Sequence, residues 1–270
     1  MMQKVTDNVY VENKTSICNT SIVVTKEGVV VIDTPMVPAN AKKLAAEIAK
    51  FGPVRYVINS EPHSDHIAGN CYFGGTVVAH EGTRRAILAA RVDDIKGMLQ
   101  WTAPDSLPLD KAFRFRPPDI TLSERLTLYL GEHTFQLISM PGHTPYNLAV
   151  YVPEERVVFA SDNVNLGTPV FRDSLPCEWL ESLKRYQQLD VDKVVPGHGE
   201  VAGKDCFAQM SSLVQSWIDV VADAIAKGMS LEEAQEKVPL AEQFSQMPKE
   251  GPAANFMRMN IERIYLALKK

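Results

Sequence analysis

Four of the six histidines in this 270-residue chain, His63, His66, His143 and His198, stand in loops directly after short apolar runs, each beside Gly, Pro or Asp. No other feature narrows the fold as much. Side chains that follow strands are aimed from one edge of a sheet, so histidines placed in this way need a sheet whose edge brings them together. A single loop histidine is ordinarily a surface residue. Four in one pattern, with carboxylates in the same positions, suit a borderline cation such as Zn²⁺, which takes imidazole nitrogen and carboxylate oxygen from rigid elements.

The apolar runs predict strands at 8–11, 21–25, 29–33, 54–59, 76–79, 126–130, 134–140, 147–152, 157–160 and 193–195, bounded by turn residues. Helical spacing appears at 40–51, 82–99, 177–189 and from about 205 and 252, and Ser230 to Glu233 fits a capping box opening a further helix. The stretch 101–118 has no periodicity and holds Pro104, Pro108, Pro117 and Pro118, so it is expected to be a loop covering a binding site. In the tail, Leu213, Trp217, Val220, Val221 and Ala224 form an apolar stripe. It packs on the sheets or serves as a homo-oligomer interface.

The densest group is Glu61-Pro62-His63-Ser64-Asp65-His66. Residues 61 and 63 alternate along an extended segment and point the same way, while Asp65 and His66 lie at the turn that follows. One short segment can therefore serve two metal positions. The later elements are Pro141-Gly142-His143-Thr144, Ser161-Asp162-Asn163 and Pro196-Gly197-His198-Gly199, each a turn able to aim one ligand.

In these residues the chain resembles the metallo-β-lactamase-fold hydrolases, whose signature is H-x-H-x-D-H, then a His, a bridging Asp and a last His. The resemblance covers about 21–199 and places His63, Asp65, His66, His143, Asp162 and His198 on the metal. It implies a mixed α/β fold, a four-layer αββα sandwich, with 1–270 as a single domain carrying a helical C-terminal extension from about 203. Glu61 is the departure, standing where the family has its first His. As a ligand, Glu61 joins Asp65, Asp162 and a bridging hydroxide to give four negative charges against two divalent ions, and the harder oxygen moves preference from Zn²⁺ towards Mn²⁺ or Fe²⁺. The alternative is that Glu61 hydrogen-bonds to the ligands and a single ion binds at Asp65, His66 and His198.

The implied chemistry is hydrolysis by a metal-bound hydroxide, because a bound metal lowers the pKa of water from 15.7 to about 7 and polarises a carbonyl. Asp65 is the candidate general base. In this family an Asp at the position of Asp162 belongs to glyoxalase II, lactonases and other hydrolases, so the expected substrate is a small-molecule ester, lactone, thioester or cyclic amide. A β-lactamase-like amide hydrolase and a mononuclear iron dioxygenase of persulfide type are the alternatives. Trp101, Tyr146, Asn147, Phe171 and Arg172 are candidate substrate contacts, with an Arg fork suited to a carboxylate.

Composition narrows the partners. With 45% hydrophobic residues, 23% charged residues and a net charge of −5, a basic nucleic-acid face is not expected, and no apolar run has the ~18 residues of a membrane span. Cys18, Cys71, Cys177 and Cys206 form no C-x-x-C pair, and the N-terminus has no apolar signal core, so a cytoplasmic address with free thiols is expected.

Overall fold

Val- and Ile-rich segments become strands wherever turn residues bound them, and they assemble into two sheets in a computed structural model that describes residues 2–15, 17–165, 167, 169–238 and 252–269. The first sheet has the order β1 (Gln3–Lys4), β2 (Val9–Glu12), β3 (Thr20–Thr25), β4 (Gly28–Ile32), β5 (Val54–Asn59), β6 (Thr76–His80), β7 (Ile120–Leu122). Its first four strands are antiparallel, and β4 to β7 run parallel. The second sheet has the order β12 (Lys193–Pro196), β11 (Val157–Ser161), β10 (Leu148–Val152), β9 (His133–Ser139), β8 (Arg125–Leu130), with only β11 and β12 parallel.

The parallel pairs position the chemistry. They bring the C-terminal ends of β4, β5 and β6 to one edge, and the ends of β11 and β12 to one edge of the other sheet. A backbone bond from Leu148 N to Ser60 O, 2.7 Å, joins the sheets there. Between the sheets, Val9, Val23, Val30, Ile58 and Val78 interdigitate with Phe135, Leu137, Val150, Phe159 and Val195 as one core. Each such side chain contributes about 1.5–3 kcal/mol on burial. On the outer face of the first sheet, α1 (Pro38–Ile48) starts on Pro38 and buries Ala41, Leu44 and Ile48 against Ile22, Val31, Val57 and Val77.

Three sequence expectations change. The single helix expected at 82–99 is two, α3 (Glu81–Ala89) and α4 (Val92–Thr102), because Arg91 is extended and its N–H donates to the Asp94 carboxylate, a local cap that periodicity does not register. β1 and β7 are two and three residues long, too short to alternate visibly. The stretch 101–118 begins inside α4, makes a 3₁₀ turn at Pro104–Ser106, and rests Leu107, Leu109, Phe113 and Phe115 on Met36, Ala68, Ile95 and Leu99. It is fastened by apolar contact to Ala68, two residues beyond His66.

The chain divides into two compact units: residues 1–140, 146–164 and 190–204, which hold both sheets, and residues 141–145, 165–189 and 205–270. The second unit contains α5 (Pro176–Gln187), α6 (Cys206–Ala226), α7 (Leu231–Lys237) and α8 (Pro252–Leu268), so the helical tail shares its unit with two earlier segments. Of the tail stripe, Trp217, Val221 and Ala224 are buried and Leu213 and Val220 only half-buried; the buried face of α6 also includes Phe207, Met210, Val214 and Ile218, and Phe207 stacks on Tyr186 of α5 at 5.0 Å. The expected capping box is present, Ser230 Oγ accepting from Glu233 N at 3.2 Å. Among the described residues no helix is long and apolar enough to cross a membrane.

Candidate metal centre

β5 ends at Asn59 and the chain runs extended through Glu61 and His63 before one short turn, α2 (Ser64–Ile67), carries Asp65 and His66. The backbone changes from extended to helical between the two pairs of side chains, yet His66 Nε2 and Glu61 Oε1 still lie 3.2 Å apart, so the pairs are not kept separate as the spacing predicts. Asp162 follows β11, and His198 follows β12. Within the first unit, two groups have ligand atoms all within 4.8 Å of one another: Asp65 with His66 and His198, and Glu61 with His66 and Asp162.

His66 is the common member. It is fully buried, and its Nε2 lies 3.2 Å from Glu61 Oε1, 3.3 Å from Asp162 Oδ1 and 3.7 Å from Asp65 Oδ2, aligned with none of them as a hydrogen bond. A buried ring nitrogen facing three carboxylates in this way is what a cation between them would satisfy, and the imidazole and carboxylate donors suit Zn²⁺, Mn²⁺ or Fe²⁺. Glu61 is fully buried and reaches both neighbouring imidazoles, with Oε2 2.9 Å from His63 Nδ1. His198 Nε2 lies 3.2 Å from Asp162 Oδ2 and 3.4 Å from Asp65 Oδ2.

The charges hold one another. Burial opposes ionisation of Asp65, but His66 and His198 outweigh it and bring its pKa down to about 2. The same pair holds Asp162 well below the usual carboxylate range against its burial. Burial likewise disfavours charge on His198, yet Asp162 and Asp65 raise it to about 10, and the surrounding carboxylates push His66 well above its ordinary value.

The sequence signature of the metallo-beta-lactamase superfamily matches residues 14–198. The chain belongs to that superfamily. Linear primary-alkylsulfatase from Pseudomonas sp. is 24% identical over 259 residues, 79% of this chain and 48% of the relative. The 2,4-dinitroanisole O-demethylase subunit alpha from Nocardioides sp. is 26% identical over 214 residues, 76% and 60% respectively. The chain therefore spans about half the length of these curated relatives. The solved structure of a stereoselective inverting sec-alkylsulfatase from Pseudomonas sp. matches with a TM-score of 0.74 and 16% identity, covering 98% of this chain and 49% of that one, a likeness of fold.

Several residues that organise this superfamily site were not singled out in the sequence. Asp33, after β4, accepts from His66 Nδ1 at 2.9 Å, from Ser60 N at 2.7 Å and from the Ser60 hydroxyl at 2.5 Å, and burial raises its own pKa. The bond fixes the His66 tautomer so that Nε2 is the nitrogen offered to the cluster. Asp33 and Ser161 both adopt left-handed backbone, φ 58° and 55°, a cost of about 1–3 kcal/mol each that non-glycine residues bear at functional sites. Asp33 stands at a strand end like the ligands themselves, and that was the available signal. Gly197 is required by closeness: a Cβ there would sit 1.7 Å from Asp162 Oδ1. The buried Cys18 thiol donates to Asp65 O at 2.8 Å, and burial keeps it protonated.

His143 lies in the second unit, buried, with Nδ1 bonded to Val170 O at 2.9 Å and its ring edge-on to Trp179. Of the candidate substrate contacts, Tyr146 stacks on His80 at 5.3 Å, fills the space left by Gly82 and lies under Arg85. Asn147 is buried beside it, its carbonyl accepting from Met140 N. Trp101 is 75% exposed on α4. Phe171 is fully buried against Trp179 and Trp217, and exposed Arg172 pairs with Asp173.

Proposed function

We propose that the chain is a metal-dependent hydrolase acting on a small-molecule substrate of ester type: an ester, lactone, thioester or cyclic amide, extended to alkyl sulfate esters by the names of its relatives. The observation that carries this reading is the fully buried His66 Nε2 facing three carboxylates at the strand ends. Glu61, His63, Asp65, His66, Asp162 and His198 would hold one or two ions, with His143 assigned to the same set by its place in the motif. When bound, such an ion acidifies water and polarises the scissile group. Asp65, ionised throughout the neutral range, orients the attacking water through a carboxylate oxygen and accepts its proton. Asp33 keeps the His66 Nδ1 proton in place.

The unpaired cysteines suit a reducing, cytoplasmic setting. The deciding experiment measures metal content and turnover on one preparation, with carboxylic ester, lactone, thioester, cyclic amide, β-lactam and alkyl sulfate substrates. Zinc or manganese with anaerobic hydrolysis is expected. Iron with oxygen uptake would replace this reading by the dioxygenase, and turnover that survives complete removal of metal would end it.

A further inference from the structure

Asn19 lies in the connection between β2 and β3, 5% exposed. Its side-chain nitrogen donates to the carbonyls of Pro196 and Gly199, both at 2.9 Å, and its backbone N–H donates to Gly197 O at 2.7 Å. One residue thereby takes three carbonyls of the turn that carries His198. Two positions earlier, the Ile17 carbonyl accepts from His198 Nδ1 at 2.7 Å, which leaves Nε2 as the nitrogen facing Asp65 and Asp162.

His198 needs such support. Its side chain is 26% exposed, and it stands between Gly197 and Gly199, the latter at φ 87°, so neither burial nor the local chain fixes it. The amide is also chemically specific. A side-chain amide nitrogen carries two N–H donors, whereas an Asp of the same shape carries none and a Ser one.

We propose that Asn19 is a positioning residue for the metal centre, clamping the turn at 196–199 so that His198 Nε2 is held towards Asp65 and Asp162. The inference rests on the metal-centre reading but not on the substrate or the reaction. It makes the connection between β2 and β3, which supplies no ligand, part of the machinery.

The test uses the full chain with Zn²⁺ alone as probe, its affinity measured by chelator competition at constant pH. Asn19→Asp preserves size and removes both donors, and should weaken the tightest Zn²⁺ site 10–100-fold, the usual effect of losing a partner that holds a metal ligand. In a His198→Ala background the same change should weaken Zn²⁺ binding no further, because the clamp acts only through His198. Equal losses in both backgrounds would mean a structural role only, and no loss in either would overturn the clamp. A second readout covers failure of Asn19→Asp to fold: in metal-free wild-type protein the His198 Nδ1–H should be protected from exchange, and Asn19→Ser should lose that protection. Retained protection in Asn19→Ser would equally overturn it. Wild-type protein that takes up no Zn²⁺, Mn²⁺ or Fe²⁺ would instead sink the metal-centre reading, leaving the exchange measurement to decide the clamp.

Discussion

His66 and His198 face the same carboxylates from two differently built regions. His66 is fully buried, sits in a turn continuous with the central strand β5, and hands its second nitrogen to the buried Asp33. His198 is a quarter exposed, sits on a glycine-flanked turn, and hands its second nitrogen to a backbone carbonyl from another part of the chain. The first region is fixed by packing, the second by hydrogen bonds across a long sequence separation. A site can therefore have one rigid corner, bound into the core, and one corner whose geometry depends on a loop that contributes no ligand.

The largest expected effect comes from removing each imidazole. His66→Ala and His198→Ala should both lose metal and turnover, but their chelated proteins should differ in stability. Taking the imidazolium from among buried carboxylates costs about 3–5 kcal/mol at His66, whereas the greater solvent exposure of His198 makes its loss the smaller of the two. Chemical denaturation of both variants in chelator checks this, and equal losses would erase the distinction between the two regions.

Glu61 belongs to the rigid corner, where its carboxylate spans His63 and His66. Glu61→Ala should lose about one metal equivalent if two ions bind, and Glu61→His should restore binding with a stronger preference for Zn²⁺. Elemental analysis decides it, since unchanged stoichiometry in Glu61→Ala would make Glu61 a hydrogen-bond partner of the ligands. Asp33→Asn, which removes the charge beneath His66, should weaken metal binding 10–100-fold. An affinity equal to wild type would show that burial alone orients His66.

Titration separates the two corners more gently. In the chelated protein the folded pKa of His198 is about 10 against 6.5 unfolded, so its stabilisation is complete below pH 6.5 and fades as pH rises towards 10. Asp65, at about 2 against 3.8, contributes above pH 3.8 and fades as pH falls towards 2. Metal-free protein should then be most heat-stable between about pH 4 and 6.5, with His198→Ala flattening the alkaline fall. A Tm that rises from pH 7 to 10 would contradict this. Metal uptake at pH 7 should release protons, because both imidazoles must become neutral to bind.

The smallest effect is expected at Trp101, exposed on α4 at the start of the stretch 101–118. Trp101→Ala should leave metal content unchanged and Tm shifted little, since surface changes are usually within about 0.5 kcal/mol. A raised KM with unchanged kcat would mark it as a substrate contact, and unchanged kinetics would remove it.

Much of this protein was legible in its sequence. Strand periodicity and turn residues are local, so ten of its strands could be read where they lie, and the Glu61 to His66 segment showed its chemistry because adjacent residues share one backbone. The sequence by itself also determined the family, since the order of strand-end His and Asp residues survives without coordinates. What only the tertiary structure decided is the support around those residues. Asp33 beneath His66 and Asn19 across the His198 turn act through hydrogen bonds between segments far apart in sequence. Their partners exist only once β4 lies beside β5 and the connection before β3 meets the end of β12. An Asn before a strand has the same local signature whether its amide faces water or holds a metal ligand in place, because hydrogen-bond partners are chosen by proximity in space and not by position along the chain.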